Sequence, residues 1–177
     1  MDDSTSPGTD AAAAASAAFS ACAALYNGVS FNVVRRPASL QNSSYADLLL
    51  QHAQQLYDFA VNAQGGQRLY QESVPEITDT YGSSAFEDEL TMAALFLSLA
   101  SNSSSLYNTA ENYYSRFSLG GKNEAYNWDS KTPGLAVLFS KIATTYPDIG
   151  GDLDRWRTEA ERYFDNVLNN GEKTNGL

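Results

Sequence analysis

Cysteine occurs once in this chain of 177 residues, as Cys22, and histidine once, as His52. A single thiol cannot form an internal disulfide, so a disulfide-stapled fold is excluded. One imidazole and one thiol are also too few for a structural zinc site. Basic residues are sparse: 11 Lys+Arg face 21 Asp+Glu, for a net charge of −10. Nucleic acids and anionic lipid surfaces both demand a basic footprint, so neither is an expected partner. Long apolar runs are missing too. The alanine-rich stretch 11–24 is too short and too weakly apolar to cross a bilayer. The opening Met-Asp-Asp has no basic region of the kind that begins a secretory signal. Gly-x-Ser-x-Gly does not occur, and the glycines at 8, 65–66, 120–121 and 150–151 lack phosphate-loop spacing.

What is present describes a folded helical protein. Hydrophobic residues make up 43% and aromatics 12%, enough for a real core. Residues 8–27 are mostly alanine, the best helix former, with Pro7 before the run and Asn27-Gly28 after it. Ser44-Tyr45-Ala46-Asp47 reads as a capping-box variant, and Leu49, Ala53, Leu56 and Ala60 follow at helical spacing up to Gly65-Gly66. Four further helices are predicted: about 87–100, a stretch through Leu106 to Phe117, one opened by Pro133, and one from Trp156 to Val167. Residues 29–43, 67–85 and 121–132 read as irregular. Six helices joined by alternating long and short connections suggest three helical hairpins. Three hairpins alone would leave an apolar flank exposed, which marks the chain as half of something larger.

Several residues carry possible chemistry. Asp88-Glu89 opens the third helix. Two acids there complement the helix dipole, but they also form a pair of hard oxygen ligands. Calcium takes about 6–8 oxygens, so such a site needs more donors, which Asp129 and loop carbonyls could provide. Trp128 lies in a loop, and a lone tryptophan is more often core than ligand platform. Tyrosine is abundant, and its ring with a polar tip suits sugar sites. His52 lies beside Leu50, Ala53 and Leu56 and reads as structural. Cys22 reads as a small buried hydrophobe. Asn42-Ser43-Ser44 and Asn102-Ser103-Ser104 are N-glycosylation sequons.

Five segments, in order and covering nearly all the chain, resemble glycoside hydrolase family 9. Pro7-Gly8-Thr9-Asp10 with its alanine helix is similar to the family's Pro-Gly-Ser-Asp segment. The stretch Leu49–Ala60 resembles the next helix motif. Tyr81-Gly82-Ser83-Ser84-Ala85-Phe86-Glu87-Asp88-Glu89-Leu90 resembles the Tyr-loop-Tyr-x-Asp-Glu-Leu segment. Asn127-Trp128-Asp129-Ser130-Lys131 looks like the Trp-Asp-x-Lys loop, and Lys173-Thr174-Asn175-Gly176-Leu177 the start of a later segment. Ala14 stands where the family has Glu, Phe86 where it has Tyr, and Thr91-Met92 where it has Val-Trp.

The resemblance implies an all-α (α/α)6 barrel, about half of it present as three hairpins. It implies an inverting endo-β-1,4-glucanase, a cellulase acting on β-1,4-glucan, whose acid and base stand roughly 6.5–9.5 Å apart. The family's base lies in a motif upstream of residue 1 and its acid downstream of residue 177. No catalytic residue is therefore expected here, and the chain alone is expected to be inert. The resemblance carries a structural calcium onto Asp88, Glu89, Asp129 and Ser84, and a place beside the substrate onto Tyr81. It implies secretion of the full-length parent. Two other readings compete: another helical-barrel carbohydrase, of family 8 or 48, and a non-catalytic helical-repeat scaffold for protein partners.

Overall fold

The computed structural model describes residues 5–29 and 41–169, apart from the side chain of Tyr81. The residues between 30 and 40, with Arg35-Arg36-Pro37, and those from 170 onward, with Lys173–Leu177, lie outside that description. Among the described residues all regular structure is helical.

Helix α1 (Thr9–Asn27) ends because Gly28 takes φ 97°, a left-handed conformation that glycine adopts without strain. Its amide and that of Val29 then bond the carbonyls of Leu25 and Ala24. Helix α2 (Ser43–Asn62) runs back along α1. Its cap is Asn42, whose Oδ1 accepts from the Tyr45 amide at 3.0 Å, and not Ser44 as the capping-box reading had it. Asn42 precedes Ser44 in the chain and caps at least as strongly. Small residues let the two helices come close: Ala13, Ala17, Ala53 and Ala60 are buried, and Ser16 Oγ donates to the Ala53 carbonyl at 2.7 Å.

The segment read as irregular between 67 and 85 contains two one-turn helices, α3 (Tyr70–Ser73) and α4 (Thr78–Tyr81), with a 3₁₀ turn at Pro75–Ile77 between them. Their length is below what a helical repeat can reveal in sequence. Helix α5 (Glu87–Ser101) is buried on almost every side, from Asp88 through Leu99, as expected of a helix apolar all round. It packs on α1 and pairs with α6 (Ser104–Arg116). Helix α7 (Thr132–Thr145), with Pro133 in its first turn, packs on α5 and pairs with α8 (Leu153–Asn169).

The result is three hairpins side by side: α1/α2, α5/α6 and α7/α8. The N-terminal halves of α1 and α5 share one core cluster, through Ala12, Ala13, Ala17, Leu90 and Ala93. Their C-terminal halves share another, through Ala24, Leu95 and Leu99. The two helices are therefore parallel, and α7 joins them with its N-terminus at the same end. That end is the mouth; the turns of the first two hairpins form the opposite pole. Burying each leucine of this core contributes about 1.5–3 kcal/mol.

One face of α1 is exposed along much of its length. Ala11, Ala14, Ala18, Phe19, Cys22 and Leu25 are exposed at spacings of one to four residues along the helix. Cys22 is thus exposed, contrary to the buried reading; it lies on the side facing away from α2 and α5. His52 is also exposed, 6.3 Å from the Phe19 ring, so it stands at the edge of this flank rather than within a core. At the other end of the layer Phe164, Val167 and Leu168 of α8 are exposed. These are the apolar flanks expected of three hairpins.

Candidate functional site

At the mouth the Pro7-Gly8-Thr9-Asp10 segment is tied to the chain near residue 70. The amides of Thr9 and Arg68 bond the Arg68 carbonyl and Thr9 Oγ1 in return. Asp10 Oδ1 accepts from the Tyr70 amide at 2.8 Å, and Ser73 Oγ donates to the Pro7 carbonyl. Gly8 is required by contact: a Cβ there would lie 2.6 Å from the Tyr70 ring. Gln71 in turn holds Ser83 by both its amide and its carbonyl.

The loop 121–132 is pinned to the start of α5 by acids. Asp129 Oδ1 accepts from the Ser84 amide at 2.8 Å. Asp88 Oδ2 accepts from the Lys131 amide at 2.6 Å. The Lys131 ammonium lies 3.2 Å from Glu89 Oε1 and also donates to the Trp128 carbonyl. Thus Asp88 and Asp129, 41 positions apart, are brought to one place.

Asp88 and Glu89 are 3% and 5% exposed. Asp88 Oδ1, Glu89 Oε2 and Ser130 Oγ are buried and have no hydrogen-bond partner. Ionised carboxylates only accept, so two of them side by side cannot satisfy each other. Burial first, then the adjoining Asp88 carboxyl, push the Glu89 carboxyl up to about 9, against the opposing pull of Lys131. A shared proton or a cation relieves the pair.

Two cavities flank these acids. One, of about 170 Å³, is lined by Ser84, Glu87, Asp88, Asp129, Ser130 and Thr132 among others. The other, of about 390 Å³, is lined by Asp10, Ala11, Ala14, Tyr70, Ile77, Ser83, Glu89, Trp128 and Lys131. Asp88, Asp129 and Ser84 therefore share one cavity and Glu89 lines the next. Among the described residues no three His, Cys, Asp or Glu side chains form a metal-holding group. Trp128 is 62% exposed, contrary to the core reading. It is carried by a loop whose turn Asn127 closes, its Oδ1 accepting from the amides of Asp129 and Ser130. The side chain of Tyr81 lies outside the described residues; its backbone ends α4.

Lys131, Tyr70 and Asp10 were not singled out as site residues from sequence. For Lys131 a signal existed: a lysine two places after Asp129 in a loop expected to meet two acids. Nothing local marks Tyr70.

Hairpins in one layer, inner helices parallel and a polar mouth at their N-termini, define a section of an (α/α)6 barrel. The sequence matches the profile of Glycosyl hydrolase family 9 over residues 1–177. It is 30% identical to "Endoglucanase 14" of Arabidopsis thaliana over 180 residues, 98% of this chain and 33% of that protein. It is 34% identical to "Endoglucanase 5" of Oryza sativa subsp. japonica over 169 residues, 91% of this chain and 29% of that one. The solved endoglucanase of the termite Nasutitermes takasagoensis superposes with a TM-score of 0.78 at 31% identity, over 98% of this chain and 35% of its own. The chain belongs to glycosyl hydrolase family 9. It spans about a third of the length of these relatives. Membership in this family sets aside families 8 and 48. No helix among the described residues is long and apolar enough to cross a membrane.

Proposed function

We propose that this chain forms one wall of the substrate cleft in a secreted hydrolase of β-1,4-glucan, an endoglucanase. The observation that carries this is the larger mouth cavity, lined by the exposed Trp128 together with Tyr70, Asp10, Glu89 and Lys131. An aromatic platform takes the apolar face of a pyranose while carboxylate and ammonium groups meet its hydroxyls. Tyr81 belongs to the same reading as a substrate-side residue. The work of this wall is to bind and orient glucan. Proton transfer to the glycosidic oxygen and activation of water belong to carboxylates outside residues 1–177, so the chain by itself turns over no substrate.

The two tryptophans allow a direct test. Trp156 is fully buried and Trp128 exposed, so a soluble quencher reports Trp128. Cello-oligosaccharide at millimolar concentration is expected to protect Trp128 from quenching, malto-oligosaccharide is not, and W128A loses the response. No protection by cello-oligosaccharide, or turnover of a soluble cellulose derivative by pure chain, overturns the reading.

A structural calcium ion belongs to this proposal. All the candidate donors are hard oxygens: Asp88, Glu89, Asp129, Ser84 and the adjoining Ser130. The unpartnered Asp88 Oδ1, Glu89 Oε2 and Ser130 Oγ support it, as oxygens with nothing to bind them. Calcium would neutralise the acids and tie the loop 121–132 to the start of α5. At calcium about 100-fold above its Kd, the melting temperature is expected to rise by about 5–10 °C over a chelated sample. D88N and D129N remove the rise. An equal melting temperature in calcium and chelator disposes of the site.

A further inference from the structure

We infer that Asn102 is an N-glycosylation acceptor, taking an oligosaccharide from a lipid-linked pyrophosphate donor. The inference is independent of the glucan reading, because it concerns the pole opposite the mouth. Only Asn42 and Asn102 of the chain's asparagines have Ser or Thr two residues on with no proline between. Both sequons fall at hairpin turns of that pole. Asn42 caps α2, and its amide donates to the carbonyl of Tyr26 near the end of α1. Asn102 ends α5.

Asn102 presents its side chain favourably. It is exposed and takes φ 53°, ψ 46°, the left-handed turn conformation that asparagine tolerates better than most residues. Its own amide and that of Ser103 both return to the Ser98 carbonyl, so the backbone of the turn is satisfied without the carboxamide. The Ser103 hydroxyl caps α6 through the Leu106 amide, and Ser104, the sequon hydroxyl, is exposed. The turn belongs to the central hairpin, flanked on both sides by hairpins of this chain, whose exposed apolar flanks lie elsewhere. A glycan there extends into water, bulky and solubilising. It stands a full helix from the cleft wall: α5 has 15 residues, roughly 22 Å at 1.5 Å per residue.

In the transfer the Asn102 carboxamide nitrogen attacks C1 of the first N-acetylhexosamine. The N–C1 bond forms, and the C1–O bond to pyrophosphate breaks with its electron pair leaving on the lipid pyrophosphate. The nitrogen gives up one proton to a base of the transferring enzyme.

The test uses the full chain, secreted from a eukaryotic host behind a leader peptide, in an N42Q background so that one sequon remains. Its intact mass is expected to exceed that of the polypeptide. Peptide N-glycosidase should remove the excess and convert residue 102 to aspartate in the digested peptide. S104A, placed in the first turn of α6 where alanine is favoured, abolishes the modification, and S104T keeps it. S104A also leaves the left-handed Asn102 untouched, so loss of glycan cannot be put down to a broken turn. A secreted, folded chain whose residue 102 peptide carries plain asparagine overturns the proposal.

Discussion

W156A is expected to cost the fold about 3–5 kcal/mol, the ordinary loss for a fully buried tryptophan cut to alanine. Trp156 is the only buried residue in α8, and it anchors that helix alongside the hydrogen bonds of Glu159 to Gly121 and of Arg162 to Asn123. Its ring stacks on Phe139 at 3.8 Å and 6° and meets the Tyr114 ring edge-on at 4.9 Å. Its indole N–H donates to Glu111 Oε1 at 2.9 Å. Alanine removes both ring contacts, leaves a cavity among Phe139, Tyr107 and Tyr114, and strips Glu111 of its donor. W156F is expected to cost less, since a ring still fills part of the space. Urea unfolding followed by circular dichroism measures both. A loss below about 1 kcal/mol for W156A would mean that α8 is held by something other than this stack.

The second large effect is in pH. Glu89 is held at about 9 in the folded chain against 4.5 for the free group. The folded state therefore keeps a proton that the unfolded state releases between those values. Stability from this group is fully present below pH 4.5 and is lost as pH rises towards 9. A melting series in chelator should show the decline, and E89Q, which keeps the shape and carries no titrating proton, should flatten it and be the more stable protein at pH 8. Calcium changes the slope for the same reason: a cation competes with the proton, so its stabilising effect is expected to be larger at pH 8 than at pH 5. An unchanged slope in E89Q would place the responsible proton elsewhere.

The long helices were legible because their signals are local. Alanine content, Gly28 after α1 and Pro133 in the first turn of α7 are written in consecutive residues. The pairing of hairpins followed from connection lengths. What escaped depends on tertiary neighbours. Cys22 looks like core from composition, yet it lies on the exposed face of α1; periodicity says that a face exists, not that it is covered. Trp128 looked like core because most lone tryptophans are, and only the folded loop turns its ring outward. The one-turn helices α3 and α4 are set by what they pack on, with Tyr70 against Gly8 and Gln71 clasping Ser83. In the site, Asp88-Glu89 was visible as a pair and Asp129 as a further oxygen donor, but the bonds of Lys131 to both acids were not read, since no local rule joins positions so far apart in the chain. The separation of Glu89 from the Asp88–Asp129 cavity was not legible at all. Adjacent residues on a helix diverge by about 100°, and which way each turns is decided by Lys131.

The open face of α1 also carries its own chemical reporter. Cys22 is the chain's single thiol, and it sits in the exposed stripe between Ala18 and Leu25. A maleimide or aromatic disulfide reagent therefore reads this one face and no other part of the molecule. Its rate of reaction measures how often the stripe is uncovered at Cys22, rather than an average over the surface. Any protein surface that comes to lie on α1 slows that reaction in proportion to its occupancy, which turns the closing of the barrel edge into a kinetic quantity.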